Sequence, residues 1–219
     1  MPTLTLIIGN KNYSSWSLRP WLLAHHLGHK FTELLIPLDR PDSSERIHAV
    51  NPAGRVPALR HADQLVWESI AMCEYLCELA GRGLPIDARW RAMARSVSAE
   101  MHSGFQALRQ QWPMNARATD RHTPMNAPLQ ADLMRIESIW TDCRALSKSI
   151  GPWLFGDYSM ADAMYAPVVL RLNTYGSRVT LTPVVREYMA TTLADPLLQE
   201  WLEAAGSEPW TLHYDGVGL

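Results

Sequence analysis

Three short stretches carry residue types whose spacing could do chemistry. The first is Asn12-Tyr13-Ser14-Ser15-Trp16-Ser17, between a strand-like and a helix-like run. Serines ahead of a helix are ordinarily caps, but one cap needs one serine and this turn has three. A hydroxyl at the C-terminal edge of a sheet, beside a helix N-terminus, is also suited to hold an anion. The second stretch is Arg55-Val56-Pro57-Ala58-Leu59. A proline opening a strand is ordinarily an edge or turn residue. A cis Val56–Pro57 bond would instead present the Val56 N–H and C=O to an extended peptide. The third is Glu68-Ser69-Ile70, at the start of a helical run. It reads first as an N-cap with a favourable charge nearby. Ser69 could equally receive a ligand carboxylate through Oγ and N–H while Glu68 takes an ammonium group, so one amino-acid head group would satisfy both.

The elements that must position these stretches follow from periodicity and breakers. Residues 3–9 read as a buried strand closed by Gly9, and 17–27 as a helix with Ser17 as cap, Pro20 in its first turn and Gly28 as stop. A second strand is expected over 31–38 and a short helix over 42–50, broken by Asn51-Pro52-Ala53-Gly54. Residues 56–60 and 64–67 form a hairpin pattern, and 69–79 repeat apolar residues at helical spacing. Gly81-Arg82-Gly83-Leu84-Pro85 stacks helix breakers. Beyond it helices are expected over 87–111, 127–149, 159–172, 183–193 and 196–204, with Ser159 and Asp162 as a capping box. The chain therefore divides into an α/β unit, residues 1–80, a linker, 81–87, and an all-helical unit, 88–219.

Composition excludes several classes. Lys and Arg total 20 against 22 Asp and Glu, a net charge of -2, so no basic excess points to nucleic acid. No apolar run approaches the ~20 residues that span a bilayer, and the first ten residues lack a signal-peptide pattern. Three cysteines, Cys73, Cys77 and Cys143, give no disulfide framework, which fits a reducing cytoplasm. His25 and His29 share a helical face, but no cysteine or carboxylate cluster completes a zinc set, so no metal is expected.

Together the stretches resemble the glutathione transferase family, most closely its serine-dependent, zeta-like branch. Ser14-Ser15-Trp16-Ser17-Leu18-Arg19 is similar to that branch's Ser-Ser-Cys-Ser-x-Arg turn, with Trp16 in place of cysteine. Asn51-Pro52-x-Gly54-x-Val56-Pro57-x-Leu59 is similar to its cis-proline segment, and Glu68-Ser69-Ile70-Ala71 to its γ-glutamyl signature. Gly156-Asp157-x-Ser159-x-Ala161-Asp162 is similar to a capping motif of the helical domain. The resemblance implies a thioredoxin-like α/β domain followed by an all-α domain, a homodimer, and glutathione as co-substrate with a small electrophilic partner. It implies that Ser14 donates to the glutathione thiolate, that Val56 before Pro57 pairs with the cysteinyl backbone, and that Glu68 and Ser69 hold the γ-glutamyl end. Ser15, Arg40 and Arg55 are further candidates for the thiol or the glycyl carboxylate.

One hydroxyl is enough for this task. A free thiol titrates near ~8.5, and bringing it to ~7 needs roughly 2 kcal/mol of preferential thiolate stabilisation. A hydrogen bond to a charged group contributes about 1.5–3 kcal/mol and a helix N-terminus about 0.3–1 more. Tyr13 is an alternative donor. The turn has no cysteine, which speaks against mixed-disulfide chemistry. The main expectation is conjugation of glutathione to a hydrophobic electrophile. A maleylacetoacetate-type isomerisation and a non-catalytic glutathione-binding role are the alternatives. Met101, His102, Phe105 and Trp112 are candidate pocket residues, although a stripe at helical spacing is more often core.

Overall fold

Residues 3–219 are described in a computed structural model; Met1 and Pro2, where the expected absence of a signal peptide begins, lie outside the described residues. Strand β1 (Leu4–Ile8) sends Leu6 and Ile8 into the main core and Ile7 into a smaller one, as a central strand covered on both faces must. It pairs in parallel with β2 (Phe31–Leu35) and antiparallel with β3 (Ala58–His61), which pairs antiparallel with β4 (Gln64–Val66). The sheet order is β2-β1-β3-β4.

Helix α1 (Ser15–His26) connects the parallel strands, and α3 (Ser69–Ala80) follows β4. Both contribute to the main core, through Leu18 and Leu22 and through Met72, Cys73 and Leu76. The opposite face is covered by α2 (Ser43–Val50), which puts Ile47 against Ile7, Ile36 and Ala58. This is the thioredoxin-like arrangement. The helical region follows as α4 (Ala88–Ser103), α5 (Gln106–Gln111), α6 (Ala127–Ser147), α7 (Met160–Tyr175), α8 (Pro183–Leu193) and α9 (Pro196–Gly206). Helix α7 is buried along nearly its whole length, and its Met164, Tyr165 and Val168 join the same core that the sheet starts. No helix among the described residues is long and apolar enough to cross a membrane.

Four local expectations need correction. The cap of α1 is Ser14, not Ser17, and the helix begins two residues early. Pro20 consequently falls in the second turn, where its missing N–H leaves the Trp16 carbonyl without an intrahelical donor. Strand β2 ends at Leu35, ahead of Pro37, whose nitrogen has no hydrogen to give a ladder. The helix expected over 87–111 is two helices, because Gly104 leaves α4 extended and Phe105 takes a left-handed conformation (φ 56). Phe105 is thereby buried, and the Arg109 guanidinium bonds the carbonyl of Gly104.

The capping box at α7 became a buried node. Asp162 accepts from Ser159 N–H (2.9 Å) and Oγ–H (2.8 Å), Leu154 N–H (2.9 Å) and the Tyr188 hydroxyl (3.2 Å). Burial pushes its carboxyl pKa up, and these four donors oppose that shift.

Candidate functional site

The serine turn is buried yet faces a cavity. Ser14 is 6% exposed, and its Oγ lies 2.7 Å from Ser17 Oγ and 3.4 Å from Ser17 N. Ser17 Oγ in turn accepts from the Gly9 N–H at 3.1 Å. Ser17 thus has its own proton to give, and giving it to Ser14 Oγ leaves the Ser14 proton free to point out of the turn. With that polarity, one of the two open to this hydroxyl pair, Ser14 Oγ–H is available at the N-terminus of α1, where a negative charge is favoured. Ser15 Oγ accepts from Arg171 Nη2 at 3.2 Å, so its acceptor side is engaged by a cation of the helical region.

The turn and the other two stretches line two adjoining cavities. One, of about 660 Å³, has Ser14, Ser15, Arg55 and Val56 on one side and residues of α5, α7 and the C-terminal tail on the other. The second, of about 500 Å³, is walled by Val56, Pro57, Glu68 and Ser69. Trp16, Arg55 and Val56 border both. The Val56–Pro57 bond is cis, and the Val56 N–H and C=O make no hydrogen bond among the described residues. Ser69, the first residue of α3, is 2% exposed and its Oγ has no partner, a buried hydroxyl left open at a helix N-terminus. Glu68 lies 3.6 Å from Arg55, a well-exposed pair that holds neither side chain firmly. Arg40 is exposed ahead of α2, where its backbone N–H bonds Ser43 Oγ, and it lines neither cavity.

Trp16, where cysteine was the expected type, is a stacking plate. The Arg19 guanidinium lies 4.1 Å from its ring centroid, Arg109 lies 5.6 Å away, and the His102 ring meets it edge-on at 5.2 Å. Arg19 is fully buried, and beyond its Nε bond to the Met164 carbonyl both terminal nitrogens lack hydrogen-bond partners. The Trp16 face is what that cation has instead. Arg171 is also buried, and it is spent on the Trp112 and Pro167 carbonyls and on Ser15. Burial and the neighbouring arginines bring the pKa of Arg19 down to about 9 and that of Arg171 to about 10. Arg55, Arg109 and Arg171 line the larger cavity and no Asp or Glu does. The charge of this wall is therefore positive.

The glutathione S-transferase N-terminal domain family matches residues 13–79, the span that holds all three stretches. A maleylacetoacetate isomerase from Rattus norvegicus is 28% identical over 174 residues, 77% of this chain and 77% of that protein. A glutathione S-transferase omega-2 from Mus musculus is 30% identical over 152 residues, 67% of this chain and 58% of that one. The fold matches that of a glutathione transferase homologue from Burkholderia with bound glutathione, at a TM-score of 0.70 and 23% identity over 94% of this chain and all of that one. The first domain of the chain belongs to the glutathione S-transferase N-terminal domain family, and the fold of the whole chain is that of a glutathione transferase.

Tyr13, the alternative donor, is already engaged within the chain. The Tyr13 hydroxyl donates to Asp215 at 2.5 Å and accepts from Arg117 Nη2 at 2.9 Å, so its proton is spent on the chain's own tail. That tail lines the larger cavity through His213, Tyr214 and Val217, and His213 sits 2.9 Å from Asp39. Glu208 anchors the tail by accepting from the N–H groups of Lys11 (2.6 Å) and Asn12 (3.0 Å). Of the four candidates from the helical region, Met101, Phe105 and Trp112 are core, and His102 alone reaches a cavity of this site, beside Glu68 and Ser69. Arg109, Arg171 and the tail residues carried no local signal. Each is a single side chain brought in from a distant element, and only the fold puts it beside the serine turn.

Proposed function

We propose that this chain is a glutathione-dependent transferase in which Ser14 holds the glutathione sulfur as its thiolate for attack on an electrophilic carbon. Two open donors carry the reading: the outward proton of Ser14 and the unpartnered Oγ of buried Ser69, at the two helix N-termini that flank Val56. A tripeptide spanning them would pair its cysteinyl backbone with Val56 before Pro57. Its γ-glutamyl carboxylate would meet Ser69 and its ammonium Glu68, while Ser15 and Arg55 stand by the thiol and the glycyl carboxylate. Arg40 is a further candidate for that carboxylate on sequence grounds alone. Residues 1–80 and 88–219 act in this reading as the glutathione and electrophile domains, joined by 81–87. In conjugation the sulfur lone pair forms the C–S bond and the leaving group departs with its electron pair; no metal takes part. The family supports a cytoplasmic homodimer, which light scattering would test. The decisive experiment is turnover of an activated chloroarene with glutathione against turnover with free cysteine. Equal rates for the two thiols, or no binding of glutathione, would sink the proposal.

A second reading has its own support. The carboxylate-free, arginine-lined cavity favours an electrophile that is itself a carboxylate, as in a maleylacetoacetate-type isomerisation. There the thiolate adds to the double bond, rotation follows, and the same sulfur leaves. Isomerisation of maleylacetoacetate at a rate above that of chloroarene conjugation would establish it.

A further inference from the structure

Helix α4 puts one side chain into the cavity walled by Glu68 and Ser69, and that side chain is His102. Its ring is held edge-on to Trp16, at 5.2 Å between centroids. Nδ1 is covered and has no hydrogen-bond partner. Nε2 makes no hydrogen bond among the described residues either, but it is not among the covered atoms. A neutral imidazole carries one proton, and burying an unpaired N–H costs about 1–3 kcal/mol, so the covered nitrogen keeps its lone pair and the proton resides on Nε2. Burial, Arg19 and Arg109 act to keep the ring neutral and outweigh the opposing pull of Glu68.

We infer that His102 Nε2–H is a second donor to the γ-glutamyl carboxylate of glutathione, supplied from the helical region opposite Ser69. The inference rests on the glutathione reading above. A carboxylate has two oxygens and about four lone-pair sites, more than the Ser69 hydroxyl and the first N–H of α3 fill. The cavity is a zwitterion trap: Glu68 for the ammonium, and Ser69 with His102 for the carboxylate. The second half of the chain thus takes part in recognising the tripeptide, and the end it reads lies farthest from the sulfur.

The test is calorimetric titration with glutathione and with cysteinylglycine, which lacks the γ-glutamyl group. His102→Phe keeps a ring against Trp16 and removes the N–H; His102→Gln keeps a donor at similar reach. His102→Phe should weaken glutathione about 10-fold and leave cysteinylglycine unchanged, since a hydrogen bond to a carboxylate carries at least that factor. His102→Gln should recover most of the loss, and the KM for glutathione should move while kcat at saturation does not. Wild-type affinity for glutathione in His102→Phe, or equal losses for both ligands, would overturn the inference. Failure of the wild-type protein to bind glutathione would overturn the reading beneath it.

Discussion

Replacing Ser14 by alanine removes the hydroxyl proposed to donate to the glutathione sulfur. Ser17 keeps its bond from Gly9, so the local frame persists; what disappears is the donor 2.7 Å outward from Ser17 Oγ. The cap bond from Ser17 N is long, at 3.4 Å, so the loss of helix stability should sit at the low end of the ~0.5–2 kcal/mol range for cap removal. The chemical loss is larger. If the hydrogen bond contributes about 2 kcal/mol to the thiolate, its removal raises the bound thiol's pKa by roughly 1.5 units, from near ~7 toward ~8.5. At pH 7 the thiolate fraction then falls from about one half to about 3%, a roughly 15-fold drop that kcat should follow wherever chemistry limits turnover. The assay is a titration of the thiolate absorbance near 240 nm with saturating glutathione, run beside the kcat–pH profile. Both curves should move to higher pH together, and Tyr13→Phe should move neither. An unchanged titration in Ser14→Ala, or a shift in Tyr13→Phe, would refute the assignment of the free proton to Ser14.

Other outcomes follow from the same geometry. Ser69→Ala deletes the open buried hydroxyl and should raise the KM for glutathione about 10-fold with kcat at saturation little changed, measured by initial rates. Arg171→Met preserves bulk, frees Ser15 and removes one cavity cation; it should lower kcat/KM for carboxylate-bearing electrophiles about 10-fold more than for neutral ones, read from paired substrates. Asp162→Ala strands four donors and should cost about 3–5 kcal/mol, visible as a lowered denaturant midpoint. Burial raises the folded pKa of Asp162 above 3.8, so just above that pH the folded chain holds a proton that the unfolded chain has lost. The Asp162 contribution to stability therefore falls as pH rises through that window, and Asp162→Asn should flatten the slope in acid-range melts.

Much of the fold was legible because its signals are local. The buried run at Leu4–Ile8, the apolar period of Ser69–Ala80 and the Ser159/Asp162 box each announce an element within a dozen residues. The helix break at Gly104 was not, because the residues on either side keep a helical pattern and only the burial of Phe105 requires the turn. The cap of α1 was misplaced by three residues because Ser14, Ser15 and Ser17 are equivalent as types; Ser17 differs only in receiving the Gly9 N–H. In the site, the serine turn, Val56-Pro57 and Glu68-Ser69 could be read as runs. Arg109, Arg171, His102 and Tyr214 could not, since each is an isolated side chain whose meaning depends on which helix lands beside which strand.

Trp16 joins the two halves of this molecule by charge as well as by packing. Its ring faces the guanidinium of Arg19, from its own helix, and that of Arg109, from the helical region, while its edge meets His102. The residue between Ser15 and Ser17 is therefore a polarisable plate set among cations of both units. Burial and the repulsion between the two cations it faces lower the Arg19 pKa, so the ring sits in a positive field that borders both cavities. A smaller side chain at position 16 would change thiol acidity without touching a single hydrogen bond of the serine turn.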